Sequence, residues 1–293
     1  MTLRPRALAH ALVLSLVAAG ASAQQATPAP NFPVLPPPAM GAPGATEAAP
    51  IDRVLAGEWR SESNKARDKY RHPRETLAFF GVEPGQKVIE IWPGGGWYAE
   101  VLAPLLSKDG QYTAVVPRPA KPGDNTSKSN DKLRAMFAAA PAVYGAPAIV
   151  EVDPKAPVLG APGSADVVLT FRNAHNWVMA GNEAAMFKAF FDVLKPGGTL
   201  GLVDHRAKPD QPPAEMKTSG YLPEAYVISL AKAAGFELAG SSEVNANPRD
   251  TKDYADGVWT LPPRLALGDK DREKYLAIGE SDRMTLRFTK PAR

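Results

Sequence analysis

The chain contains no cysteine. That excludes disulfides, thiolate metal sites and cysteine nucleophiles. It fits an oxidising compartment without establishing one. Net charge is also small: the value is +3, and Arg4 and Arg6 supply two of those charges, so the rest of the chain carries 3 − 2 = +1. No basic block is present, so neither nucleic acid nor an anionic membrane is expected as the main partner. Beyond the first segment no stretch is apolar enough to span a bilayer. Only four histidines occur, with no HxH or HxxxH spacing. A histidine-based metal site would therefore have to be assembled by the fold. What remains is an ordinary globular balance of 293 residues, 44% apolar and 22% charged, enough for one large domain or two small ones.

Residues 1–23 read as a secretory signal peptide. Arg4 and Arg6 form a charged start, "ALAHALVLSLVAAG" is an apolar run of 14 residues, and "ASA" precedes Gln24 as a small-residue cleavage site. The mature protein is therefore expected to be exported, to the periplasm, with no stable membrane span after cleavage. Residues 24–50 hold eight prolines, seven alanines and one charge, a composition expected to form an extended tether rather than a core. The domain is expected over 51–293. It opens with a helical segment, 51–80, in which Ile51, Val54, Leu55 and Trp59 fall at helical spacing and Pro73 starts a helix that stops at Gly81.

Strands and helices then alternate. Strands are expected over 88–91, 112–116, 148–152, 165–170, 199–203, 236–239 and 284–289. Helices are expected over 98–106, 132–140, 183–194 and 222–234. This order indicates βαβ units, hence an α/β, doubly wound, mostly parallel sheet. In such sheets ligands sit beyond the carboxyl ends of the strands, where strand order reverses. Four loops meet that condition: "WPGGGW" after the first strand, Asp153 after the third, "FRNAHNW" (171–177) after the fourth, and "DHR" (204–206) after the fifth. Glycines in the first loop let a ligand approach the backbone closely and free the amides at the next helix start. His175 and His205 follow two strands directly, each beside another polar group. Histidine at neutral pH can accept a proton from a nucleophile. His72 precedes Pro73 in the segment leading to the sheet.

The strings "RDKYRHPRETLAFFGVEPGQKVIEIWPGGGWYAEVLAP", "DVVLTFRNAHNW", "FFDVLKPGGTLGLVDHRA" and "KYLAIGESDRMTLRF" occur in that order. From about residue 70 onward the chain resembles class I S-adenosylmethionine-dependent methyltransferases, and more narrowly a bacterial group of predicted, often exported methyltransferases. The resemblance implies a Rossmann-like methyltransferase fold with a seven-stranded sheet in the order 3-2-1-4-5-7-6, S-adenosylmethionine as cofactor, and methyl transfer to a small-molecule substrate. It assigns Glu90, Gly94 and Gly96 to the cofactor loop. Trp92, Gly95 and Asn173 are further candidates there, and Asp153 falls where the adenine amine is reached. It makes Asp166 a structural mark at the start of strand four. His175, Asp204, His205 and His72 are the catalytic candidates, and Arg172 or Arg206 would orient an acidic substrate. Two positions depart from the family pattern. Trp92 replaces the first glycine of the loop, and the second strand ends in Val115-Val116-Pro117 with no ribose-binding acid before Asp124. Two alternatives stay open: an exported, non-catalytic binding protein on the same fold, and a metal site built from His72, His175 and His205 with Asp204.

Overall fold

The computed structural model describes residues 48–292. The signal peptide and nearly all of the tether lie outside the described residues. The first helix, Pro50–Leu55, begins at the last residue assigned to the tether, with proline in its first turn. It stops at Ala56, so Trp59 falls beyond it and instead donates its indole N–H to the Glu100 carbonyl at 3.0 Å. Helix Pro73–Phe80 runs as expected and ends on Gly81 in the left-handed region.

The seven strands are β1 (Lys87–Ile91), β2 (Gln111–Pro117), β3 (Ala148–Val152), β4 (Ala165–Phe171), β5 (Leu194–His205), β6 (Glu237–Ser242) and β7 (Arg283–Thr289). They form one sheet in the order β3-β2-β1-β4-β5-β7-β6, parallel except for β7, which runs antiparallel between β5 and β6. The expected topology is thus the observed one. Leu194, expected as the end of a helix, and residues 195–198, expected between elements, instead start a longer β5, because Leu194 already pairs with Ala165.

Side chains alternate across the sheet with period two. In β1 and β4, Val88, Val167 and Leu169 face one helical layer with Leu77, Phe80 and Leu102. Ile89, Ile91 and Val168 face the other, with Trp177, Phe187 and Phe190. Burial on both faces explains why β1 reads as an almost unbroken apolar run. Asp166 at the foot of β4 accepts from the Lys87 amide at 2.8 Å and pairs with Lys195 at 2.5 Å, as expected of a structural mark. Among the described residues no helix is long and apolar enough to cross a membrane.

Candidate active site

Strand order reverses between β1 and β4, and a cleft of about 300 Å³ opens there. Trp92, Gly94, Val116, Asn125, Ser129 and Asn173 are among its walls. The loop after β1 turns sharply: Trp92, Gly94 and Gly96 have φ of 51°, 58° and 81°. A Cβ built on Gly94 or Gly95 meets nothing within 4 Å, so the loop faces open space. Left-handed backbone suits Gly94 and Gly96 but is a strained state for tryptophan, costing roughly 1–3 kcal/mol. The Trp92 indole packs edge-on against buried Trp177, centroids 5.5 Å apart. The ring thereby lines the cleft beside Gly94 instead of plugging it. Asn173 pins the loop to β4: its amide donates to the Ile91 carbonyl at 2.9 Å and, more weakly, to Thr170 Oγ1 at 3.3 Å.

Between β4 and Asn173 the backbone turns through Arg172 (φ 64°), and helix Ala174–Ala180 follows Asn173, where only a loop was expected. This puts His175 in the first turn, directly over the end of β5. Asp204, fully buried, accepts from the amides of His175 (3.1 Å) and His205 (2.7 Å) and meets His175 Nδ1 at 2.8 Å. A carboxylate in that setting is an acceptor, so Nδ1 carries the ring proton and Nε2 keeps its lone pair, the arrangement of a general base. His205 lies beside it, ring centroids 5.0 Å apart. Arg172 Nε donates to His205 Nε2 at 3.5 Å, and His205 Nδ1 meets Ser281 Oγ at 2.5 Å. Since arginine has no acceptor, His205 carries its proton on Nδ1 and donates to Ser281. Burial, with repulsion from His175 whenever it is protonated and from Arg172, Arg283 and Arg71, holds His205 well below the usual histidine range. His205 is thus neutral at physiological pH.

A group of arginines packs behind this pair. Glu280, buried, accepts from Arg67 Nε at 2.6 Å and from Arg283, and Arg71 Nε lies 3.5 Å from it. Burial raises the Glu280 carboxyl, but Arg283, Arg71 and Arg67 together bring it down to about 2. Burial lowers Arg71 to about 9, opposed by Glu280 and reinforced by Arg172, Arg283 and Arg67. Arg172 falls in the same way to about 10.

Six of the predicted residues meet at these two adjoining places: Trp92, Gly94 and Asn173 on the cleft, and His175, Asp204 and His205 beside it. Gly95 shares the open loop, and Gly96 closes it against Met136. Three stand elsewhere. Glu90 faces the helical layer, buried, and accepts from Tyr112 Oη at 2.6 Å. It is not a wall of the cleft, and burial pushes its carboxyl up to about 8. Asp153 is exposed and accepts from the Lys155 amide at 2.9 Å. His72 belongs to a second cleft, with Ser281 and Glu280. Arg206 is taken up by Glu243 and Asp282. Sequence reasoning missed Ser281, Glu280, Arg283 and Arg71, although all four lie inside the strings quoted above. It also missed the polar face of helix Asn125–Ala139, where Asn125, Ser129 and Asn130 border the cleft that lacks a ribose acid.

His175, Asp204 and His205 hold donor atoms within 4.8 Å of one another, a spacing that a metal ion could share. His72 is outside that trio. The surroundings oppose a cation: both Asp204 oxygens and His205 Nε2 are engaged, and several guanidinium groups bear on the site.

No protein-family model matches the sequence, and no curated protein matches it. Solved structures do. A SAM-dependent methyltransferase from Aquifex aeolicus is similar over 77% of this chain and 93% of its own, at 14% identity and a TM-score of 0.51. The [4+2]-cyclase SpnF covers 81% and is itself covered over 86%, at 16% identity and TM-score 0.53. A Galdieria sulphuraria protein provisionally assigned as a sarcosine dimethylglycine methyltransferase covers 78% and is covered over 87%, at 13% identity and TM-score 0.53. At such identities the likeness shows the fold, which is that of class I methyltransferases.

Proposed function

We propose that the protein is an exported methyltransferase that uses S-adenosylmethionine to methylate a small molecule. One observation carries this reading: an open glycine loop at the β1/β4 switch point stands next to a histidine whose proton is fixed on Nδ1 by a buried aspartate. The residues fit the cofactor. Gly94 and Gly95 leave room for close approach, the Trp92 indole N–H is buried without a hydrogen bond, and Asn125 and Ser129 offer amide and hydroxyl groups where the ribose acid is missing. The chemistry that S-adenosylmethionine supplies when bound is an electrophilic methyl group on a sulfonium.

The chain's own work is then positioning and proton handling. Asn173 and Trp92 hold the loop open. His175 Nε2 takes the proton of the acceptor's nucleophile, and Asp204 stabilises the imidazolium that results. Holding donor and acceptor in line provides most of the acceleration in such transfers. Titration calorimetry with S-adenosylmethionine and S-adenosylhomocysteine is the test; no binding at millimolar concentration would overturn the reading. Export rests on the signal-like first 23 residues.

Trp92 at the first-glycine position favours a second reading, a binding protein that keeps the fold and holds another small molecule. SpnF, a [4+2]-cyclase of similar fold, is a reminder that the fold does not fix the reaction. Mass spectrometry of small molecules co-purifying with the mature protein separates the two.

A further inference from the structure

Arg67, Arg71, Arg172 and Arg283 come from three distant parts of the chain and lie close enough to act on one another. The carboxylates that offset them are Glu280 and, at Arg172, Asp204. Asp204 is already committed to His175 and two amides. Four cations therefore face little more than one available carboxylate. Arg71 and Arg283 are 8% and 2% exposed. Several donors are buried without a hydrogen bond: Arg67 Nη2, Arg71 Nε, Arg283 Nε and His72 Nδ1.

Such an arrangement is costly in an isolated protein. An unmade hydrogen bond from a buried charged group is unfavourable, and buried like charges repel. An oxyanion removes both penalties at once. Guanidinium groups match carboxylate and phosphate oxygens two at a time. Arg172 stands in the wall of one cleft, of about 730 Å³, and Glu280 brings the rest of the cluster to the wall of a second. A cleft of about 490 Å³ has His72, Tyr70, Glu280 and Ser281 in its walls and the exposed cations Lys69 and Arg249 at its rim. Ser281 also touches His205, whose ring lies tilted beside that of His175. The cleft thus leads toward the proposed base.

We propose that this arginine cluster is an oxyanion-binding site, and that the methyl acceptor is a small molecule anchored there by a carboxylate or phosphate group. The second half rests on the methyltransferase reading; the first half does not. Glu280 acts as the internal counter-charge that spaces Arg67, Arg71 and Arg283. Arg172 links the anion to the neutral His205, so that occupation of the site is felt beside His175.

The test is titration calorimetry of the mature protein with inorganic phosphate and with succinate, without cofactor, at ionic strength held constant with chloride. Saturable binding of either anion is expected, weakened at least tenfold in Arg172→Gln and in Arg67→Gln. Tighter phosphate binding identifies a phosphorylated acceptor, tighter succinate binding a carboxylic acid. Arg67 is only half-buried, so Arg67→Gln keeps the test decisive if Arg172→Gln fails to fold. No saturable binding of either anion by the wild type, or equal affinity in the folded variants, overturns the site. Cofactor titration is scored separately. Failure there removes methyl transfer and leaves the anion site standing, and the reverse also holds.

Discussion

Glu90 gives a stability prediction that needs no substrate. It lies on the same face of β1 as Val88, is 2% exposed, and meets Tyr112 Oη at 2.6 Å. Burial outweighs the Tyr112 hydrogen bond and the Arg71 charge, raising the carboxyl from 4.5 to about 8. A folded-state value above the unfolded one means that stability is fully present below about pH 4.5. It is lost progressively as pH rises toward 8 and then levels off. Between pH 6.5 and pH 9 the linkage relation gives a loss of about 2 kcal/mol from this residue alone. Glu90→Gln keeps the shape and an acceptor for Tyr112 but cannot ionise. Its absolute stability shifts by the altered hydrogen bonding, yet the pH-dependent loss from position 90 disappears. Urea unfolding of both proteins, followed by tryptophan fluorescence at pH 6.5 and pH 9, measures the double difference. Parallel changes in the two proteins would refute the claim that Glu90 is held protonated in the fold.

Other expectations are equally direct. Asp204→Asn should release the His175 tautomer, so that ¹⁵N NMR, which shows the proton on Nδ1 in the wild type, reports a mixture; turnover with an accepted substrate should fall by about 10²–10⁴-fold. Trp92→Gly relieves a strained backbone but removes an indole from Trp177, for a net destabilisation of about 1–2 kcal/mol in urea unfolding, and S-adenosylmethionine affinity should change with it. Asn173→Ala should cost about 1–2 kcal/mol through the lost Ile91 and Thr170 contacts and weaken cofactor binding more than Asp204→Asn does. Intact mass of the protein from the exported fraction should correspond to a chain beginning at Gln24.

The strands were legible because local patterns mark them: β-branched runs such as Val88 to Ile91, closed by glycines and separated by helices. Boundaries moved by one or two residues at most strands, and further where pairing rather than pattern decided, as when β5 took in Leu194–Gly198. Helix Ala174–Ala180 was missed because the seven residues after β4 read as a polar loop, and only burial of Ala174, Trp177 and Val178 makes the turn worth forming. Asn173, His175, Asp204 and His205 were singled out by their positions just past strand ends. Glu90 was placed correctly in its strand, but which neighbours its side chain would meet depended on Tyr112, 22 residues away.

The alternating sheet, the glycine turn after β1 and the polar residues after β4 and β5 are each written in a few consecutive residues, and so are local properties of the chain. The tertiary structure alone decided that Ser281 touches His205 and that Arg71 and Arg283 share Glu280. β7 enters the sheet antiparallel beside β5, setting Arg283 opposite His205, while the N-terminal segment folds back to bring Arg67 and Arg71 to the same place. Those partners are separated by 76 and more than 200 residues. Strand order, which no short window of sequence encodes, is what makes them neighbours.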